Sequence, residues 1–392
     1  MEPENLGNVD ENLDIDIIEV PDIPMPTEIV EDIIKDEFDG AIRYAIIGAG
    51  QGGSRLAETF WNLGYRRVCV LNTAIQDLNT INIPKDRKML LPGGGAGKSM
   101  EVAAKAIEEH YEDVLDFLRR GFKEDYDRIL ICVGAGGGTG AGTLKALIQV
   151  THELNISLGI EKTVKDRKVG VLAALPTNAE GKKVAQNSLK VLNQVFSNVQ
   201  DGLLSPVIIL DNQRIKDVYP KLSVNSFWNT ANKSICSLFH LFNTIACKDS
   251  NYTSFDKTDY EGILNSGVLT FGATPLKDYE DATSISYAIR DNLKRNVLAG
   301  GMDLHEGTIA GCVVIGSKIV LDNVPQENLE HGFEQLSRTL SEGSIVHRGI
   351  YRGNKDSLVI YTVIGGLSKP IERIDELNRI AGYPDNSAYS GE

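Results

Sequence analysis

No apolar run in this 392-residue chain approaches the roughly 18–20 residues that cross a bilayer, so no membrane partner is expected. No basic stretch followed by an apolar core opens it either; the chain is acidic from Glu2 onward, which argues against a secretory signal. Cysteine is sparse. The five residues Cys69, Cys132, Cys236, Cys247 and Cys312 are scattered and without CxxC spacing, which excludes a disulfide framework and a zinc site. Cys69, Cys132 and Cys312 each sit between apolar or small neighbours, as buried free thiols do. The set fits a reduced, cytoplasmic protein. A block of basic charge is also missing. Residues 1–40 carry fourteen acidic side chains against the single Lys35, and so hold −13 of the net charge of −14. The rest of the chain is near neutral, and with no basic face or tail, direct nucleic-acid binding is not expected.

What is present is enough apolar sequence, 42%, for a sizeable core. The length favours two domains or one large α/β unit. In residues 1–40 acids alternate with Ile, Val and the prolines Pro21, Pro24 and Pro26, a composition expected to stay unfolded or to dock as an extended arm. From Arg43 onward, apolar strands at 44–47, 68–71, 129–133, 169–174 and 207–210 alternate with helical stretches at 54–63, 100–120, 143–154 and 181–199. That alternation indicates a parallel sheet covered on both faces. A long helix is expected over 224–247. Strands at 268–272, 309–315 and 358–363, with helices near 282–297 and 326–340, then suggest a second, smaller α/β domain. The expected organisation is an acidic arm at 1–40, a nucleotide-binding domain at 41–223, a central helix at 224–248, a second domain at 249–382 and a short tail at 383–392.

Three glycine-rich segments compete for a phosphate. Gly48-Ala49-Gly50-Gln51-Gly52-Gly53 satisfies G-x-G-x-x-G between a strand and a helix, but the acid that a dinucleotide fold needs at the end of the second strand is Asn72 here. Gly93 to Ser99 ends like a P-loop, but Pro92 stands where the first glycine belongs. The segment is better suited to a flexible loop over terminal phosphates, with Lys98 adding charge; a glycine linker without a ligand is the alternative. Gly134 to Thr143 is far more specific. Six glycines follow a strand and open a helix, so backbone N–H groups and the helix macrodipole can converge on an anion.

Gly136-Gly137-Gly138-Thr139-Gly140 in that setting resembles the signature of the tubulin/FtsZ superfamily, and the resemblance runs over about residues 43–382. It implies a first phosphate loop containing Gly48, Gly50, Gln51 and Gly52, a second at Asn72, and a third at Gly95, Ala96 and Gly97 near the γ-phosphate. Thr143 closes the signature loop. Glu180, after Leu175-Pro176, would hold the ribose hydroxyls, and Asn212 would contact guanine. Trp228 would stack on the base and Asn232 read its edge, because an amide oxygen can accept from guanine N1–H and N2–H₂, which adenine does not offer. Core packing is the other reading of Trp228. Asp256 and Asp259, spaced D-x-x-D after the long helix, resemble the family's catalytic loop, in which two acids enter the next subunit's site and orient the attacking water. GTP and GDP are the implied cofactors, with Mg²⁺ bound mainly through the phosphates.

The resemblance has departures. Ser254 stands where the family often has Asn, Ala74 where FtsZ commonly has Asp, and Val184 where it has Arg. These look closer to plasmid and phage tubulins of the TubZ type than to division FtsZ. The implied function is a GTPase that polymerises head-to-tail, serving plasmid or phage DNA segregation, with a DNA-bound adaptor as a further partner. The basic tail by which such proteins recruit an adaptor is not matched by 383–392. A division-ring protein and a non-polymerising nucleotide-binding scaffold are the competing expectations.

Overall fold

The computed structural model describes residues 38, 40–123, 125–276, 279, 282–294, 301–353 and 357–383. Most of the acidic arm and of the tail lie outside the described residues. Ten strands join in one sheet: β1 (Tyr44–Ala49), β2 (Val68–Asn72), β3 (Lys88–Leu90), β4 (Arg128–Gly134), β5 (Val169–Leu175), β6 (Val207–Asp211), β7 (Val268–Leu276), β8 (Ile309–Gly316), β9 (Ile345–Arg352) and β10 (Leu358–Leu367). Their order is β3-β2-β1-β4-β5-β6-β7-β10-β8-β9. Every pairing from β3 to β7 is parallel, as the apolar runs imply. Beyond β7 the sheet turns mixed: β10 runs antiparallel to both β7 and β8, while β9 is parallel to β8. The link between the halves is narrow. β6 and β7 pair only at Val207–Val268 and Ile208–Leu269.

Thirteen helices accompany the strands among the described residues. In chain order they are α1 (Gly50–Asn62), α2 (Ile75–Asn79), α3 (Met100–Glu109), α4 (Tyr111–Phe122), α5 (Thr139–Ser157), α6 (Lys182–Gln200) and α7 (Asn212–Val218), then α8 (Val224–Ile245), α9 (Lys257–Leu264), α10 (Ala282–Lys294), α11 (Lys318–Asn323), α12 (Gln326–Thr339) and α13 (Ile371–Ala381). The single helix expected over 100–120 is broken. His110 leaves helical geometry (φ −119°, ψ 28°), and Glu112 and Asp113 then open α4, where acids favour a helix start. Strand β9 was not expected. It lies at the sheet edge, where Ile345 is exposed and the apolar run is diluted by His347 and Arg348. Helix α13 was not expected either, although Pro370 precedes it and Gly382 ends it in left-handed geometry.

Strand alternation sorts the core into two layers. Ala45, Ile47 and Ala49 of β1 join a cluster with α3, α4, α5, α6, α10, α12 and α13, whereas Tyr44 and Ile46 face a second cluster built on α1, α8 and α9. The second layer is aromatic where α8 crosses the sheet: Phe242 lies near Phe255, Tyr260 and Phe271. Packing at this face fixes α8 along its length and sets where its N-terminal turn, capped by Ser223, arrives.

Candidate functional site

At the carboxyl ends of β1, β2, β4, β5 and β6 lies a cavity of about 410 Å³, the place where parallel sheets bind ligands. Two helices begin on its wall. Neither α1 nor α5 has a side chain capping its first turn or an acid within it, so the unpaired N–H groups of both are left for an anion.

Glycine makes this convergence sterically possible. A Cβ on Gly140 would sit 2.8 Å from the Ala49 carbonyl, and one on Gly50, at φ +69°, would sit 2.8 Å from Gly140 N. The two loops therefore touch backbone to backbone. Gly140 of the signature loop is thus demanded by packing between loops, whatever it offers an anion. Gly137 is different: the nearest atom to a Cβ there is Gly134 O at 3.7 Å.

A chain of polar side chains ties the loops together. Gln51 Nε2 donates to Asp77 Oδ1 at 3.3 Å, and Asn72 Nδ2 donates to Asp77 Oδ2 at 3.2 Å. Asn72 Oδ1 accepts from the Thr139 hydroxyl at 3.3 Å, and the Thr73 and Thr139 hydroxyls lie 2.8 Å apart. Asn72 donates and accepts at once, which the acid of a dinucleotide fold could not do. Asn187, buried in α6, donates through Nδ2 to Lys98 O at 3.0 Å, Gly136 O at 3.1 Å and Gly137 O at 3.3 Å, joining the 93–98 loop to the signature loop. Ser99 caps α3, accepting from Val102 N at 3.4 Å.

Most of the residues expected at the site line this one cavity. Gly50, Gln51, Gly52 and Asn72 form one wall, and Gly95, Ala96 and Gly97 stand over it. Gly136, Gly137, Gly138, Thr139 and Gly140 form its floor. Glu180, Asn212, Trp228 and Asn232 surround the far end. Trp228 is 38% exposed, which disfavours the core-packing reading. Asn212 is buried, and its Oδ1 has no hydrogen-bond partner among the described residues. Two expected residues stand behind the lining. Gly48 packs β1 on α1, its Cβ position 2.7 Å from Ala57 Cβ, and the Thr143 hydroxyl turns back to Thr139 O at 2.8 Å.

Asp256 and Asp259 are elsewhere. Among the described residues, none beyond Asn232 lines the cavity. The pair opens α9, and Asp259 Oδ1 lies 2.7 Å from His347 Nδ1. Ser254 steadies the approach to this turn, its Oγ accepting from Ser250 N at 3.2 Å.

The structure adds Arg55 and Asp77 to the lining. Asp77 lies three residues beyond Ala74, in the first turn of α2, where it accepts from Gln51 and Asn72. Val184, an apolar residue where FtsZ has Arg, lines the cavity and occupies the space that a Cβ on Gly136 would need. Among the described residues the acids on the wall are Asp77 and Glu180 and the cations Arg55 and Lys98. Burial raises the Asp211 carboxyl above its ordinary range, against the pull of Arg373 and of the Gln213 and Arg214 N–H groups.

Comparison with known proteins agrees with this geometry. The profile of the Tubulin/FtsZ family, GTPase domain, matches residues 43–220, and that of the Tubulin/FtsZ-like protein TubZ-like, C-terminal domain, matches residues 242–378. The chain belongs to the tubulin/FtsZ superfamily. Tubulin-like protein TubZ of Bacillus cereus is 24% identical over 384 residues, covering 88% of this chain and 85% of that one. A GTPγS-form protofilament of Bacillus thuringiensis serovar israelensis TubZ superposes with a TM-score of 0.78 at 21% identity, covering 91% of this chain and 95% of that one. A TubZ described as a type III plasmid segregation protein superposes at 0.72 with 21% identity, over 88% and 92% of the two chains. This tubulin/FtsZ chain is a GTPase, and GTP and GDP are the nucleotides its GTPase domain binds. Among the described residues no helix is long and apolar enough to cross a membrane.

Proposed function

We propose that this GTPase polymerises head-to-tail into filaments, with each cavity completed by Asp256 and Asp259 of the next subunit, and that the filaments segregate or position plasmid or phage DNA in the cytoplasm. In this reading residues 41–223 form the nucleotide domain, 224–248 the central helix and 249–382 the second domain, a division supported by the bounds of the two family profiles. Trp228, Asn212 and Asn232 hold guanine, Glu180 holds the ribose, and the loops at 50–52, 72, 95–97 and 136–140 hold the phosphates. Mg²⁺ sits mainly on those phosphates. Its fit is supported by the lining, which offers the two separate acids Asp77 and Glu180.

The observation that carries the proposal is the separation of parts. The nucleotide cavity and the D-x-x-D acids belong to one chain but to different places on it, and a heterologous contact brings such places together along a filament. Mixing two inactive variants tests this. Asp259→Ala keeps the cavity and lacks an acid; Trp228→Ala/Asn212→Ala keeps the acids and lacks the base site. Phosphate release restored in the mixture, alongside GTP-dependent light scattering absent with GDP, is the expected result. No restoration, with GTP-dependent assembly of wild type intact, would overturn completion between subunits; absence of assembly would favour the scaffold reading. The DNA role is supported by the TubZ-like C-terminal profile and by the description of the plasmid segregation relative. An adaptor would be found by pull-down with filaments as bait, and a division-ring role would instead show as filaments at the division site.

A further inference from the structure

Arg373 belongs to α13, the last described helix, yet its side chain is 3% exposed and its guanidinium is engaged on the far side of the nucleotide cavity. Nη2 donates to Pro176 O at 2.5 Å, and Nη1 donates to Asn178 Oδ1 at 2.6 Å. Nε stands 3.1 Å from Asp211 Oδ1. Glu376, one turn along α13, accepts from Arg373 Nη1 at 2.5 Å and also from Asn178 Nδ2. Asn178 N in turn donates to Gln213 Oε1 at 2.9 Å. One buried guanidinium thus gathers the 176–180 loop and the Asp211–Gln213 turn.

The loop it grips is internally closed. Glu180 Oε1 accepts from Thr177 N at 2.8 Å and from the Thr177 hydroxyl at 3.3 Å, while Glu180 N bonds back to Thr177 O. Wherever Pro176 and Asn178 are held, Glu180 is held with them. An arginine suits this task because its planar fork fixes several bond directions at once, whereas a lysine would supply charge without the fork.

We infer that Arg373 is a positioning residue for the nucleotide: it sets Glu180 against the Asp211–Asn212 turn, so that recognition of the ribose hydroxyls depends on the C-terminal helix. The inference rests on the GTP-site reading above. It is tested by equilibrium binding of GTP and of 2′,3′-dideoxy-GTP to the full chain, in wild type, Arg373→Lys, Glu180→Ala and the double variant. Wild type is expected to prefer GTP by about tenfold or more, the size of a charge-assisted hydrogen bond. Arg373→Lys is expected to lose most of that preference while holding the dideoxy nucleotide within about twofold of wild type, and to add nothing in the Glu180→Ala background. Should Arg373→Lys fold poorly, Asn178→Ala removes one of the two loop contacts, leaves those of Arg373 with Pro176 O and Asp211, and is expected to show part of the same loss. Equal weakening of both nucleotides would make Arg373 a scaffold residue and overturn the inference, as would a preference that survives the substitution. A wild type without preference would overturn the ribose assignment of Glu180 and this inference with it, a result distinct from the other two.

Discussion

Asp256 and Asp259 each accept a hydrogen bond from the other's backbone, Asp259 N–H to Asp256 Oδ1 at 2.9 Å and Asp256 N–H to Asp259 Oδ2 at 3.2 Å. The reciprocal box sets both carboxylates at the first turn of α9 before any partner arrives. Removing one by Asp259→Ala is expected to leave GTP binding and assembly in place and to slow phosphate release by on the order of 10²-fold. The lost bond from Asp256 N–H to Asp259 Oδ2 costs about 1 kcal/mol in chemical denaturation, while the Asp256 cap itself remains. Full GTPase activity in that variant would remove Asp259 from the mechanism.

Gly137 and Gly140 separate packing from ligand space. Gly140→Ala forces a methyl to 2.8 Å from Ala49 O and is expected to lower both thermal stability and GTP affinity. Gly137→Ala meets only ordinary contact at 3.7 Å, so its melting temperature is expected near wild type while GTP affinity falls. Unchanged affinity in Gly137→Ala would show that no phosphate comes close to that N–H.

Asn212 Oδ1 is a buried acceptor without a partner among the described residues. Leaving such an atom unpaired costs about 1–3 kcal/mol, which a guanine donor would recover. Asn212→Ala is therefore expected to leave the nucleotide-free protein equally or more stable in calorimetry, yet to weaken GTP binding about tenfold. Parallel loss of stability and affinity would instead mean a structural asparagine.

Trp228 stands at the cavity's far end with its ring 5.1 Å from Phe227 and close to perpendicular to it. Stacking on a base contributes roughly 1–3 kcal/mol, so Trp228→Ala should weaken GTP binding accordingly, with Trp228→Phe in between, by nucleotide titration. Equal affinities across the three proteins would remove the stacking role.

His240 provides a pH signature. Burial among Phe38 and Tyr65 lowers its imidazole from 6.5 to about 4. Between those values the unfolded chain binds a proton that the folded one does not, so stability falls as pH drops from about 6.5 to about 4, by roughly 3 kcal/mol in all. His240→Phe is expected to flatten that slope in urea denaturation; an unchanged slope would assign it to other groups.

The parallel half of the sheet was legible because continuous apolar strands alternating with helices admit few other arrangements. The cavity residues were legible because small residues, a carboxylate and paired amides recur in a known order. What was not legible depends on distance or on edges. Strand β9 has a mixed pattern because only one side of it meets a neighbouring strand. Arg373 lies 195 residues from Asn178, and nothing in its local sequence marks it. The glycine count of the signature loop over-stated the anion's share, since Gly140 and Gly136 answer to Ala49 and Val184.

The narrow join between β6 and β7 has a mechanical meaning. After Ile208 and Leu269 the two strands fork, and β6 runs on to Asp211 while β7 stays with β10. Asn212 follows β6 directly, past its last rung with β7. With Leu175 paired to Asp211 and no β7 partner past Ile208, the ladder that carries the chain into Asn212 is the β5 one, so this part of the cavity lining is anchored in the parallel half of the sheet alone.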